Sequence, residues 1–167
     1  KQRMRRFLTT VAFFIAGAAA AMFTESIESE GVNEESVIGW IGGMNIPVVQ
    51  EYYRAFEQGA RFINPEIVVL EDYVGSWDDV QKGKDAVLAQ IEQKADIIMS
   101  VASAAGQGIL EGAMEYGVYL MENETELSDL IENPESEEQT IATGSDASMK
   151  YRIAIVASIA EKPEQVG

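Results

Sequence analysis

Residues 37–47 read Val37-Ile38-Gly39-Trp40-Ile41-Gly42-Gly43-Met44-Asn45-Ile46-Pro47. A short apolar run closed by Gly42-Gly43 suits a buried strand. Pro47 can open a helix, because the first turn has no intrahelical use for the missing N–H. After it, Val48, Val49, Tyr52, Tyr53, Phe56, Ala60 and Ile63 recur at helical spacing and form one apolar face. Asn64-Pro65 ends that helix, since proline disfavours the helical conformation of the residue before it.

The same unit then repeats. Ile67-Val68-Val69-Leu70 is β-branched and strand-like. Gly75-Ser76-Trp77-Asp78 reads as a turn, with Ser76 or Asp78 as the N-cap of the next helix. Val80, Val87, Ile91 and Ala95 mark its inner face. Ile97-Ile98-Met99-Ser100-Val101 is the third strand. Residues 104–116 follow as a helix with Ile109, Leu110, Ala113 and Met114 inward, and Gly117 is placed to cap it. Val118-Tyr119-Leu120-Met121 is the fourth strand. Strands alternating with helices predict βαβ units: an α/β fold, a three-layer α/β/α lobe with a mostly parallel sheet.

Further along, residues 122–138 hold eight acidic side chains and no basic one, which suits a solvated loop or short irregular helix. Thr140-Ile141-Ala142-Thr143 reads as a short fifth strand. Residues 149–160 read as a last helix with Ile153, Val156, Ala157 and Ala160 on one face, ended by Lys162-Pro163.

Composition narrows the chemistry. The 167 residues are 47% apolar and 24% charged, enough for one domain with a core. The net charge of −16 argues against nucleic acid, because phosphate binding needs clustered Lys and Arg. With neither Cys nor His, the chain offers no disulfide, thiolate nucleophile, Cys/His zinc site, His general base or lipid-anchor cysteine.

The N-terminus reads in two ways. Lys1, Arg3, Arg5 and Arg6 precede a mostly apolar stretch, residues 7–23, with small residues at 18–21. That is the layout of a signal peptide, and also of an alanine-rich buried helix. The expected organisation is an apolar helix or signal-like segment at residues 1–24, an acidic connection at 25–36, and an α/β ligand-binding lobe at 37–162.

In open parallel sheets, ligands sit beyond the carboxyl ends of the strands. Here that edge comprises residues 42–45, 73–77, 103–108 and 121–125. Glycines there let a ligand approach backbone N–H groups. Gly106-Gln107-Gly108 lacks the third glycine of a dinucleotide motif and the Gly-Lys-Ser/Thr of a P-loop, so a close-packed turn is the better reading. No Ser–His pair or HExxH is present. Asp78-Asp79 beside Trp77 reads as helix N-terminal acid. Tyr52 and Trp77 are the aromatics placed to meet a planar ligand, with core packing as the alternative for each.

The segment 37–47 resembles the VGFVGGMDIP segment of the basic membrane protein family, the purine nucleoside receptor lipoproteins of bacterial ABC importers. Phe56-Glu57-Gln58-Gly59-Ala60, Asn64-Pro65, Tyr73-Val74-Gly75-Ser76-Trp77-Asp78-Asp79, Lys82-Gly83-Lys84, Ala95-Asp96-Ile97-Ile98 and Gly106-Gln107-Gly108-Ile109 follow in the family's order. Phe14-Ile15-Ala16-Gly17 and the alanines after it resemble the family's FLAG-x-AA helix, which favours the buried-helix reading.

The resemblance implies a lobe of periplasmic-binding-protein type I that closes with a second lobe on a purine nucleoside, without catalysis or cofactor. Tyr52 matches the family's base-stacking Phe. Asn123 or Glu124 stands where a ribose-contacting acid is found, and Lys150 is nearest to a ligand-contacting Lys. The family's first-lobe segment Asp-Asp-x-Ser-Phe-Asn is missing from this chain. The expected ligand contacts are Gly42, Gly43, Asn45, Tyr52, Trp77, Ser103, Gly106, Asn123, Glu124 and Lys150, with no catalytic or metal-binding residue. The expected partners are an ABC permease and a missing first lobe or second chain, outside the cytoplasm at the membrane surface. Two other readings are a sensor module that pairs with another chain, and a small hydrolase using Asp72, Asp78 or Glu122.

Overall fold

A computed structural model describes residues 2–26 and 32–122. A long helix α1 (Gln2–Thr24) leads into β1 (Val37–Gly42), α2 (Pro47–Ile63), β2 (Val68–Tyr73), α3 (Val80–Glu92), β3 (Ile97–Val101), a 3-10 turn (Ser103–Ala105), α4 (Gly106–Tyr116) and β4 (Tyr119–Glu122). The four strands form one parallel sheet in the order β2-β1-β3-β4. Ile38 sits opposite Val69 on one side and Ile97 on the other.

Strand alternation builds a core on each side of this sheet. Ile38, Trp40, Ile97, Met99, Tyr119 and Met121 pack with Phe13 and Ala20 of α1 and Val49, Phe56 and Ala60 of α2. Ile41, Ile98 and Leu120 pack with Val87 of α3 and Ile109 and Ala113 of α4. β3 is buried along its whole length. The three-layer α/β architecture with a parallel sheet is therefore the observed one.

Close backbone contact sets the helix pairs. A Cβ on Gly17 would overlap the Phe56 carbonyl oxygen, and one on Gly59 would overlap the Phe14 carbonyl oxygen. The two glycines let α1 and α2 touch main chain to main chain. On the other face, Gly83 meets the Ala105 carbonyl and Gly108 the Val80 carbonyl in the same way. α1 is thus packed on α2, with Ala12, Phe13, Ala16, Ala20, Ala21 and Thr24 buried. Phe7, Val11, Ile15 and Met22 on its outward side are exposed. By length and composition, Arg6–Thr24 is also apolar enough to cross a membrane.

At the amino edge of the sheet, the buried Asp96 carboxylate joins three segments. Its Oδ1 accepts from the Thr24 hydroxyl at 2.6 Å and its Oδ2 from the Asn33 N–H at 3.0 Å. Burial pushes this carboxyl up, and these two donors act against that shift.

Several local expectations are corrected. Asp79, not Ser76 or Asp78, caps α3, its side chain accepting from the Lys82 N–H. The Ser76 Oγ instead accepts from the N–H groups of Asp78 and Asp79, and its hydroxyl donates to Asp78 Oδ1. Val80 and Met114 lie outward, because they sit near helix ends where the apolar stripe has left the sheet. Gln90 is buried instead, its Nε2 donating to the Trp40 carbonyl at 2.9 Å. β2 runs on through Glu71-Asp72-Tyr73. The helix expected over residues 104–116 opens with a 3-10 turn, and Gly117 ends it in the left-handed region at φ 67°. The features expected over residues 123–138, 140–143 and 149–162 lie outside the described residues.

Candidate ligand-binding edge

The carboxyl ends of β1, β2 and β3 are tied together by main-chain hydrogen bonds. Gly43 N–H donates to the Val101 carbonyl at 2.8 Å, which links the loop after β1 to β3. The Gly43 carbonyl accepts from Gly75 at 2.8 Å and Ser76 at 3.1 Å, which links it to the loop after β2. The Ala105 N–H donates to the Trp77 carbonyl at 2.9 Å, which adds the loop after β3. Three loops are therefore hydrogen-bonded into one unit, with their polar backbone groups largely satisfied.

Trp77 lies across this junction. A Cβ on Gly43 would overlap the benzo ring of its indole, so glycine at 43 is what allows the ring to lie on the main chain. Trp77 is 39% exposed, so the ring has both a packed and a solvent-facing part. Gly42 gives similar close access to the Tyr73 ring and Val49. The Tyr73 hydroxyl donates to Glu71 Oε1 at 2.7 Å, and burial with this acidic partner pushes its phenol above the ordinary tyrosine range. Burial pushes Tyr53 up to about 12. Both phenols are therefore neutral donors at neutral pH.

Two exposed polar side chains flank the junction. Ser103 is held in the left-handed region at φ 53°, uncommon for a residue with a Cβ. The Asn45 Oδ1 accepts from Gln50 Nε2 at 2.5 Å, which fixes its amide at the start of α2. Gly42, Gly43, Trp77 and the Ser103 loop are thus brought together.

Other expected contacts lie elsewhere. Gly106 is buried behind the junction, 3.6 Å from Ser100 Oγ as measured from a Cβ position. Gly108 serves the α3–α4 packing. Tyr52 is half-buried in the seam between α1 and α2, stacked on Phe13 with ring centroids 4.7 Å apart and planes at 25°. Asn123, Glu124 and Lys150 lie outside the described residues. Phe13 and Glu51, outside the expected contacts, join α1 to the second turn of α2, and the helix motif around Phe14 is the sequence signal beside them.

The carboxylates near this edge are engaged in local structure. Asp72 Oδ1 accepts from the Tyr73 N–H at 2.7 Å. Asp78 is bound by Ser76. Asp79 caps α3, and the Lys82 backbone N–H, followed by the Lys82 side chain, holds its carboxyl below the usual range. Among the described residues, no group of three or more Asp, Glu, His or Cys side chains is arranged to hold a metal ion. What the edge presents is an indole surface, a hydroxyl, an amide and a rigid main-chain floor: the means to stack on a flat solute and hydrogen-bond its rim.

Residues 6–143 match the family described as ABC transporter substrate-binding protein PnrA-like. Basic membrane protein A2 of Borrelia garinii subsp. bavariensis is 33% identical over 86 residues, 52% of this chain and 26% of that protein. A protein of Lactococcus lactis named ABC transporter nucleoside-binding protein BmpA is 30% identical over 100 residues, 60% of this chain and 26% of that one. The matched stretch thus spans about a quarter of the length of these relatives. Among solved structures, an ABC transporter solute-binding protein from Aeropyrum pernix superposes with a TM-score of 0.59 at 17% identity, covering 78% of this chain and 36% of that one. A second, from Conexibacter woesei, gives 0.53 at 19% identity over 84% of this chain and 46% of that one. These likenesses are of fold.

Proposed function

Because the chain belongs to the PnrA-like family of ABC transporter substrate-binding proteins, we propose that it forms one lobe of a receptor for a purine nucleoside, delivering it to an ABC importer outside the cytoplasm. The observation that carries this reading is the half-exposed Trp77 indole laid on Gly43, at a junction where three strand-end loops are hydrogen-bonded into one floor. The nucleoside reading also leans on the Lactococcus relative, which is named as a nucleoside-binding protein.

In this mechanism the protein binds and does not turn over its ligand. The base lies against the exposed surface of the Trp77 indole. Asn45, Ser103 and main-chain groups of the loops hydrogen-bond its rim. By family resemblance, Asn123 or Glu124 and Lys150 contact the ribose side. A second lobe, on another stretch of chain or another molecule, closes over the ligand and excludes water. A permease then receives the ligand from the closed form.

One half of a two-lobed site buries less of its ligand, so affinity from this lobe alone is weak. Tryptophan fluorescence tests the site directly. Trp40 is fully buried while Trp77 is exposed, so inosine should quench the Trp77 contribution in a saturable way. Trp77→Phe should remove the quenching. Quenching that persists in that variant contradicts the assignment.

A further inference from the structure

The outward face of α1 is as apolar as its buried one. Phe7 and Met22 are each 63% exposed, and Val11 and Ile15 are exposed between them. The face packed on α2 and the sheet lies on the opposite side of the helix, at Ala12, Phe13, Ala16, Ala20, Ala21 and Thr24. A helix that is apolar all round is ordinarily covered all round. The outward residues also keep a strict spacing. Leu8, Val11, Ile15, Ala18 and Met22 follow one another at intervals of three, four, three and four residues. That is the seam by which one helix receives another.

The seam also has a direction of charge. Its spacing runs back through Met4 to Lys1 and forward to Glu25. Arg3, Arg5 and Arg6 lie near its start, and Glu28 and Glu30 follow its end in sequence. Two such helices laid in the same direction set like charge against like. Laid antiparallel, they set the basic start of each against the acidic end of the other. The spacing is symmetric about the level of Phe13, so an antiparallel pair places Leu8 opposite Ala18 of the second copy and Val11 opposite Ile15, with positions 1 and 25 facing at the ends. The other side of α1 is held in the fold. The Gly17–Phe56 and Gly59–Phe14 backbone contacts, the Arg6–Glu51 ion pair at 2.5 Å and the Thr24–Asp96 hydrogen bond at 2.6 Å all fix it there. A membrane crossing by α1 breaks every one of them, whereas a second helix on the outward face breaks none.

We propose that the outward face of α1 is an interface between two copies of this chain, paired antiparallel about a two-fold axis at the level of Phe13. The same seam serves both copies, so the contact closes on itself as a dimer. The apolar residues supply the affinity. The charged ends set the direction, because exposed ion pairs contribute little to affinity but penalise the wrong alignment. The proposal is independent of the nucleoside reading.

The test is sedimentation equilibrium of the 167-residue chain and of a Val11→Glu/Ile15→Glu variant, from roughly 1 to 100 μM. The natural sequence should reach twice the mass of one chain at the upper end. The variant should stay monomeric with an unchanged far-UV circular dichroism spectrum, since both substitutions fall at exposed positions. Direction is read by disulfide crosslinking, in a chain with no cysteine of its own. In antiparallel copies, Leu8→Cys places its thiol about 15 Å along the helix axis from its counterpart, and Ala18→Cys does the same. That is beyond the reach of a disulfide, so neither variant alone should crosslink, while an equimolar mixture of the two should. A natural chain that stays monomeric through about 100 μM overturns the proposal; if that monomer floats with phosphatidylglycerol vesicles, a lipid surface is what the face meets. A dimer that survives Val11→Glu/Ile15→Glu overturns it as well, and so does crosslinking by Leu8→Cys alone. Should the Val11→Glu/Ile15→Glu variant fail to fold, crosslinking of the mixture decides, and its absence overturns the proposal.

Discussion

Gly43 and Trp77 lie so close that no side chain larger than hydrogen fits between them: a Cβ at 43 would occupy the space of the indole benzo ring. The same Gly43 bonds to Val101, Gly75 and Ser76 through its main chain. Gly43→Ala should therefore displace the indole and loosen the loop junction together. Overpacking of this kind costs about 1–3 kcal/mol. Urea unfolding should show that loss, and the tryptophan emission should shift to the red as Trp77 becomes more exposed. An unchanged emission maximum would mean that the ring does not lie on Gly43.

The α1–α2 seam gives a second prediction. Gly17→Ala and Gly59→Ala each place a methyl group into a carbonyl oxygen of the facing helix. Because the obstacle is backbone, neither can be absorbed by a rotamer change. Each should destabilise by about 1–3 kcal/mol, and their effects should be less than additive, since the first substitution already separates the helices. A thermal melt of both single variants and the double variant measures this. No loss in either single variant would show that α1 does not pack on α2 in solution.

Asp96 yields a pH dependence. Burial raises its folded-state pKa above the unfolded value, so the folded state binds the proton more tightly. Its favourable contribution is complete below the unfolded value near 3.9 and is lost as pH rises through the raised folded value. Asp96→Asn can keep both hydrogen bonds, because its carbonyl can accept from Asn33 and its amide can donate to Thr24. The stability of the natural protein should therefore gain on that of Asp96→Asn as pH falls across this window. Asp96→Ala leaves the Asn33 N–H without its acceptor and should cost about 1–3 kcal/mol. Denaturant midpoints across a pH series check both. A stability difference between the natural protein and Asp96→Asn that is flat with pH would contradict this account of Asp96.

Much of this fold is legible in the sequence because the βα units are strongly patterned. β1 and β3 are apolar on both faces, as a central parallel strand must be, and Pro47 and the Asn64-Pro65 break bound α2 within a residue. The cap of α3 is less legible. Ser76, Asp78 and Asp79 all have the chemistry of a cap, and the choice among them depends on hydrogen bonds between Gly43 and residues 75–76, which lie far apart in sequence.

The site is legible in part for a related reason. Trp77 sits in a loop, where a large aromatic stands out, and its turn lies at the expected edge. Tyr52 lies on a helical stripe that faces two neighbours at once, the sheet and α1, and periodicity cannot tell which it meets. Phe13 is hidden entirely, because its partner Tyr52 is 39 positions away and their stacking leaves no local pattern. Gly106 and Gly108 look like ligand-loop glycines, yet Gly106 is buried and Gly108 admits the Val80 carbonyl.

Calorimetry of the 167-residue chain against inosine, guanosine, adenosine, uridine and arabinose tests the central claim most directly. The account predicts heats with the purine nucleosides, dissociation constants weaker than about 10 μM because only one lobe is engaged, and loss of the heats in a Trp77→Ala variant. Sub-micromolar binding by this chain alone, or binding of arabinose with none of the nucleosides, would contradict it.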